Sequence, residues 1–322
     1  MDEDAGRTYV EVGTSVMPDL VPATEAAALG SARGIGRGDS ERAREAAAAA
    51  MLHALELLGI CGRVVLGPRG DRILSHGATV GRPEDPHWDL GVYPVEGASL
   101  VGKGLPGAIS VLVAVEPGGF PVLPAVWYVE KIVAGPAARG ALDLDDPLAD
   151  NLRRIAFSRD ARGVSDLTVA ILDRPRHHGL IEEVRDTGAR ILLLEEGEIA
   201  GALLAATRGT GVDAMVGIGG LQETLMAACA VRCLGGELQA RLWPRNEEER
   251  LLAGDQVGKV YTVADLSPDQ VDCSVTGVSG GQLLRPVWYG SQGAETESLV
   301  MSSRLRTVRR IQTWHHATGK SR

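Results

Sequence analysis

Between residues 168 and 234 the chain alternates short leucine- and valine-rich runs with longer helical ones, and that alternation admits few folds. Residues 168–172, 190–194 and 213–216 read as strands, and 178–188, 198–207 and 221–234 as helices. Parallel strands need a crossover to return the chain to the same end of a sheet, so this order predicts a βαβαβ unit with parallel pairing. The fold class expected is α/β.

The flanks read differently. Residues 23–32 suit a helix with Thr24 at its start, Gly34-Ile-Gly-Arg-Gly38 is a flexible loop, and Asp39 stands before an alanine-rich helix over 41–58. Four apolar runs (63–66, 89–92, 109–115, 126–133) then read as a mostly antiparallel sheet, and 258–264, 272–277 and 297–312 as antiparallel strands closing the chain. The division this implies is a lead-in over 1–22, an N-terminal α+β subdomain over 23–156, and a C-terminal α/β subdomain over 157–322.

Composition narrows the partners. The net charge of −9 argues against nucleic acid, since binding a phosphate backbone requires a basic surface. No apolar run reaches the ~20 residues a membrane span requires, and the acidic start Met-Asp-Glu-Asp is unlike a signal peptide. The four cysteines lack zinc spacing and read as reduced core thiols, so a soluble cytoplasmic protein is expected. The Gly34–Gly38 loop follows a helix rather than a strand and matches no nucleotide fingerprint, so no nucleotide cofactor is expected.

In open α/β sheets ligands bind beyond the carboxyl ends of the strands. Here those ends carry Asp173-Arg174-Pro-Arg176-His177-His178, then Glu195-Glu196-Gly197-Glu198, then Gly217-Ile-Gly219-Gly220 with Glu223 one turn onward. Two arginines can fork a phosphate. Carboxylates beside glycine suit sugar hydroxyls, and glycines before a helix free backbone N–H groups for an anion. Together they predict a polyol-phosphate pocket. Asp89-Leu-Gly-Val-Tyr93-Pro-Val-Glu96-Gly97-Ala98 reads as a strand breaking into a turn with a carboxylate at its tip. That is how a metal-dependent phosphatase presents ligands, yet Tyr93 stands where a second carboxylate is expected.

These stretches, together with Gly36-Arg-Gly-Asp39, Tyr128-Val-Glu-Lys-Ile-Val-Ala-Gly-Pro136, Asp146-Pro-Leu-Ala-Asp-Asn-Leu-Arg153 and Arg306-Thr-Val-Arg-Arg-Ile-Gln312, resemble the class II fructose-1,6-bisphosphatases over about residues 22–316. The resemblance implies the layered α-β-α-β-α fold shared with inositol monophosphatases, a sugar-phosphate substrate, Mg²⁺ or Mn²⁺, and a homo-oligomer. It maps substrate contacts onto Tyr128, Arg174, Arg176, Glu196, Glu198, Gly219 and Gly220, and metal ligands onto Asp39, Glu96 and Glu223; Gly97 and His177 are further candidate substrate contacts, and Asp39, Glu96 and Tyr93 are the candidate catalytic groups, Tyr93 as an acid or base. Arg174 replaces a lysine, and Glu196 and Glu198 replace aspartates.

The metal motifs depart from that family. Its Gly-Glu-Gly-Glu turn is Gly67-Pro68-Arg69-Gly70, its Asp-Pro-Ile-Glu-Gly-Thr aspartate is Tyr93, its threonine is Ala98, and Ser40 and Arg44 replace a lysine and an aspartate. Asp71, Asp89 and His87 are candidate replacement ligands, and Arg69 a candidate phosphate clamp. Three readings follow: a sugar phosphatase with weakened or altered hydrolysis, a non-hydrolytic sugar-phosphate enzyme (isomerase, epimerase or lyase), or a non-catalytic sugar-phosphate sensor.

Overall fold

The structure, a computed structural model, describes residues 19–68, 70–81 and 87–317. In chain order the elements are α1 (Val21–Ala32), α2 (Ser40–Leu57), β1 (Gly62–Leu66), β2 (Thr79–Val80), β3 (Trp88–Glu96), α3 (Ala98–Lys103), β4 (Ile109–Val115) and β5 (Tyr128–Ala134). There follow α4 (Leu148–Ser158), β6 (Thr168–Leu172), α5 (His178–Asp186), β7 (Arg190–Leu194), α6 (Glu198–Ala206), β8 (Ala214–Gly220), α7 (Leu221–Leu234) and β9 (Glu237–Trp243). The chain closes with α8 (Glu247–Ala253), β10 (Val260–Thr262), α9 (Val263–Leu266), β11 (Asp272–Gly277), β12 (Trp288–Gly290), β13 (Gly293–Ser302) and β14 (Thr307–His316).

The described strands form two sheets. One runs β12-β13-β11-β4-β3-β1-β2 with β14 paired along β13; the other runs β10-β9-β5-β8-β6-β7. Helices α1 and α2 cover the outer face of the first, α6 and α7 lie between the sheets, and α4 and α5 cover the far face of the second. The result is the expected α-β-α-β-α stack. Sequence explains the layering: α7 carries Ala227-Ala-Cys-Ala-Val231, buried all round, as a helix between two sheets must be. Helix α4 instead buries one stripe, Leu152, Ile155 and Ala156. Each such large aliphatic side chain contributes about 1.5–3 kcal/mol by leaving water.

The parallel unit forms as expected, β6 pairing in parallel with both β7 and β8. Three details differ from the sequence reading. The stretch 297–312 is not one strand but parts of the β13–β14 hairpin, turned at Arg306 with φ +50°. Thr24 does not start α1, which begins at Val21. Its hydroxyl is buried and bonds Ser274 (2.8 Å) and Thr276 (2.8 Å), so it fastens the helix to the sheet. The sheets also ignore a division at 156/157: β11–β14 complete the first sheet, while β5 joins the second. The first sheet is mostly antiparallel, as expected, with β1 and β3 pairing in parallel. The lead-in expectation falls on residues 1–18, outside the described residues, and on 19–22, where Leu20 and Val21 are buried.

No helix among the described residues is long and apolar enough to cross a membrane. Cys229, Cys233 and Cys273 are free and buried, and burial pushes their thiols up, Cys233 to about 12.

Candidate functional site

Strand β3 ends in a register shift between Tyr93 and Glu96, and Gly97 turns the chain at once into α3. Gly97 has φ +83°, and a Cβ there would sit 3.0 Å from Leu100 Cδ1 and 3.3 Å from Ala108 Cα. Only glycine makes that turn without strain. The turn aims Glu96 at the start of α6, where Oε1 accepts from Ile199 N (2.7 Å) and Oε2 from Ala200 N (2.9 Å). These amides are orphan donors of the first helical turn, at the positive end of the helix dipole. Glu96 thus docks α6 against the first sheet. Burial nevertheless pushes its carboxyl up to about 8, against the two amides and with a small further push from Glu198 and Glu223.

Glu198, the first residue of α6, is held from the other sheet. Lys131 Nζ on β5 donates to its Oε1, Gly220 N donates to Oε2 (2.9 Å), and Thr224 Oγ1 reaches Oε1 at 3.3 Å. Glycine makes the room. A Cβ on Gly219 would fall 1.9 Å from Glu198 Oε1, and one on Gly220 1.9 Å from Glu223 Oε2. The Gly-Gly end of β8 therefore admits two carboxylates, and the Gly220 N–H serves an anion of the protein itself, the Glu198 carboxylate. Tyr93 completes the cluster. Its hydroxyl is buried, meets no partner at hydrogen-bond geometry, and faces Glu223, with Glu96 and Glu198 beyond. Burial first, then those carboxylates, hold the phenol far above its usual range, so it stays protonated.

The remaining candidate ligands are engaged elsewhere. Asp39 is exposed and caps α2 through Arg42 N (2.9 Å), in the wall of a cavity of about 870 Å³ between α1, α2 and Tyr289. The first residue of α2 packs against Gly102, in the last turn of α3. Asp71 Oδ1 caps Ile73 N and Leu74 N, and Asp89 accepts from Gly118 N (2.7 Å) to fix a turn. His87 lies in the loop before β3, its N–H donating to Cys61 O. The turn after β1 reaches the first turn of α7, where Gly67 N donates to Gln222 Oε1 (3.4 Å); Arg69 lies outside the described residues. Among the described residues no group of three or more Asp, Glu, His or Cys side chains is placed so that it could hold a metal ion. Mg²⁺ or Mn²⁺ needs several anionic oxygens near octahedral geometry. The donor set present does not fit such a centre.

Beyond the cluster the strand ends carry positive charge. Arg174 and Arg176 flank Pro175 after β6. Arg176 donates Nε–H to Ile218 O (3.0 Å), and its guanidinium lies 4.9 Å from the Tyr128 ring centroid; neither arginine pairs with a carboxylate among the described residues. Lys103, at the end of α3, lies near Arg174 and bonds Glu195 (2.7 Å), and Ser99 Oγ donates to Glu196 (2.7 Å). The Glu195 carboxylate raises the Lys103 ammonium. Beside them a cavity of about 490 Å³ is lined by Arg176, Trp243, Asp145 and Asp146. His177 is buried, with Nδ1 on Leu172 O (2.7 Å) and Nε2 facing Ile218 (2.8 Å to its N); burial lowers its affinity for a proton. It ties β6 to β8 and leaves no ring nitrogen free.

Sequence reasoning singled out neither Lys131, Lys103, Ser99 nor Thr224. Lys131 stood in a quoted motif, but a lysine inside a strand signals a role only when its partner, 67 residues on, is known.

Two packed sheets with an acidic cluster facing an arginine-lined strand edge define a protein of the sugar-phosphatase class. The chain belongs to the class II fructose-1,6-bisphosphatase family: residues 14–315 match the family described as "Bacterial fructose-1,6-bisphosphatase, glpX-encoded". The chain is 38% identical, over 94% of its length and 96% of the relative's, to a Synechococcus sp. (strain JA-3-3Ab) protein named D-fructose 1,6-bisphosphatase class 2/sedoheptulose 1,7-bisphosphatase. It is 36% identical, over 91% of its length and 93% of the relative's, to the fructose-1,6-bisphosphatase class 2 of Haemophilus influenzae. These names are of hydrolases of sugar bisphosphates.

Proposed function

We propose that the chain binds a sugar phosphate at the carboxyl ends of β6, β7 and β8 and hydrolyses its phosphomonoester more weakly than its relatives do. The observation that carries this reading is the pair Arg174 and Arg176, two guanidinium groups without carboxylate partners among the described residues, the second of them beside the half-buried Tyr128 ring. Such a pair matches phosphate oxygens in a forked geometry. Glu196 and Ser99 supply hydroxyl-binding groups at the same edge. Glu198 is already committed to Lys131 and Gly220, so it positions the pocket wall rather than meeting the sugar freely. The weakening follows from the carboxylates: Glu96 and Glu198 have their oxygens on the protein's own donors, and Asp39 caps a helix.

A non-hydrolytic reaction is the second reading. It is favoured by Glu96, whose carboxyl, pushed up to about 8, can hold or release a proton near neutral pH. The family resemblance adds a homo-oligomer, supported by the exposed Trp288–Trp314 pair (ring centroids 6.3 Å apart) beside the open edge of β14. A cytoplasmic setting is supported by the free thiols.

The test is incubation with a panel of sugar mono- and bisphosphates, with and without Mn²⁺, following phosphate release and product mass together. Slow phosphate release supports the first reading, and a product of unchanged mass formed without phosphate release supports the second. Neither release nor conversion, with no binding of fructose 1,6-bisphosphate, overturns both.

A further inference from the structure

The family's metal chemistry and this chain's donors disagree most sharply at Tyr93. Its ring belongs to the apolar core between the two sheets, shared with Ile109, Val111 and Met226, and it is 5% exposed. Its hydroxyl oxygen is buried from solvent and lies nearest the Glu223 carboxyl, with Glu96 and Glu198 within electrostatic reach. A phenol brings no charge to that position, and its six-membered ring fills space that a short carboxylate side chain would leave open.

The charge around Tyr93 has been met by other means. Glu96 has the two amides of α6, and Glu198 has the Lys131 ammonium, the Gly220 amide and the Thr224 hydroxyl. Lys131 is 2% exposed, so this ammonium is a fixed interior cation in the cluster. A divalent ion entering here would add a charge that Lys131 already partly supplies, and would find the phenol in its path. Arrangement and charge point the same way.

We propose that Tyr93 is a plug: its phenol occupies the centre of the Glu96–Glu198–Glu223 cluster, and the cluster takes no divalent cation unless that ring is removed. The consequence for catalysis rests on the sugar-phosphatase reading; the cation statement does not. Removing the ring and restoring a carboxylate rebuilds a hard-oxygen site from residues already in place.

The experiment titrates the full chain with Mn²⁺ alone and reads free Mn²⁺ by its electron paramagnetic resonance signal. Wild type is expected to leave the signal undiminished. Tyr93→Asp is expected to reduce it, with apparent affinity higher by about tenfold or more, the scale on which metal sites respond to a changed ligand environment. Adding Glu223→Gln is expected to remove the gain. Tyr93→Ser opens the space without charge and serves if the aspartate variant does not fold, as judged by circular dichroism. Stoichiometric Mn²⁺ uptake by wild type that Glu223→Gln abolishes overturns the proposal. So does the absence of any gain in folded Tyr93→Asp and Tyr93→Ser. If neither variant folds, the wild-type titration alone decides. Calorimetry of fructose 1,6-bisphosphate in the presence of a chelator tests the sugar-phosphate reading separately, and its failure leaves the Mn²⁺ result standing.

Discussion

Lys131 on β5 and Glu198 at the first position of α6 form a buried ion pair, with side chains 1% and 10% exposed. The pair couples the second sheet to the helix that Glu96 ties to the first, so three layers meet at one contact. Removing the ammonium leaves a buried carboxylate with only the Gly220 amide and the Thr224 hydroxyl. Lys131→Met is therefore expected to cost about 3–5 kcal/mol of stability, the usual penalty for orphaning one partner of a buried pair. Lys131→Met with Glu198→Gln should recover part of that loss, because the amide oxygen still accepts from Gly220. Urea unfolding of the two variants checks this; equal destabilisation would mean the pair is not the origin.

The glycines at the end of β8 give a steric prediction. Gly219→Ala drives a Cβ to 1.9 Å from Glu198 Oε1, and Gly220→Ala to 1.9 Å from Glu223 Oε2. Each should lose about 1–3 kcal/mol through overpacking and disturb the cluster. Gly179→Ala is the control: it lies within α5 with nothing near its Cβ, and should gain about 0.5–1 kcal/mol. Thermal melts of the three variants separate close packing from general intolerance of the fold.

Arg176 gives a binding prediction. Among the described residues its guanidinium bonds only the Ile218 carbonyl, and it faces the Tyr128 ring. A hydrogen bond to a charged group contributes about 1.5–3 kcal/mol, so Arg176→Ala should weaken fructose 1,6-bisphosphate binding by roughly tenfold or more. Calorimetry gives the affinity directly. An unchanged dissociation constant would put the phosphate elsewhere.

His177 sets a pH dependence. Burial lowers its folded-state pKa below the unfolded value of about 6.5. Below that value the unfolded chain binds a proton that the folded chain resists. Stability therefore falls as pH drops through and below about 6.5, by at most about 1.4 kcal/mol per pH unit from this residue, and is insensitive to it above. Comparing melting temperatures of wild type and His177→Gln from neutral to mildly acidic pH should show a shallower slope in the variant. Parallel slopes would assign the acid sensitivity to other groups.

Much of the scaffold was legible because it is local. The run 221–234 has a helix former at nearly every position and became a helix with those bounds, and β4 was readable from its unbroken apolar run. The hairpin within 297–312 was not, because both strands are apolar enough to read as one and the turn is set by a single residue, Arg306, in a left-handed conformation. The site was legible in part. The arginines and carboxylates stood at strand ends that the βαβ pattern located, but what each carboxylate does depends on a partner far away in the chain.

The sequence by itself determined the α/β class, the family, and the residues gathered at the carboxyl ends of β6, β7 and β8, since periodicity and turn chemistry act within a few residues. Tertiary structure alone decided that Glu96 caps α6, that Lys131 neutralises Glu198, that His177 ties β6 to β8, and that the Tyr93 phenol lies buried among carboxylates. Those roles follow from burial and from hydrogen bonds between residues as far as 41, 67 and 104 positions apart. In a low-dielectric interior the nearest donor fixes what a charged group can do, and no sequence interval encodes which donor that is.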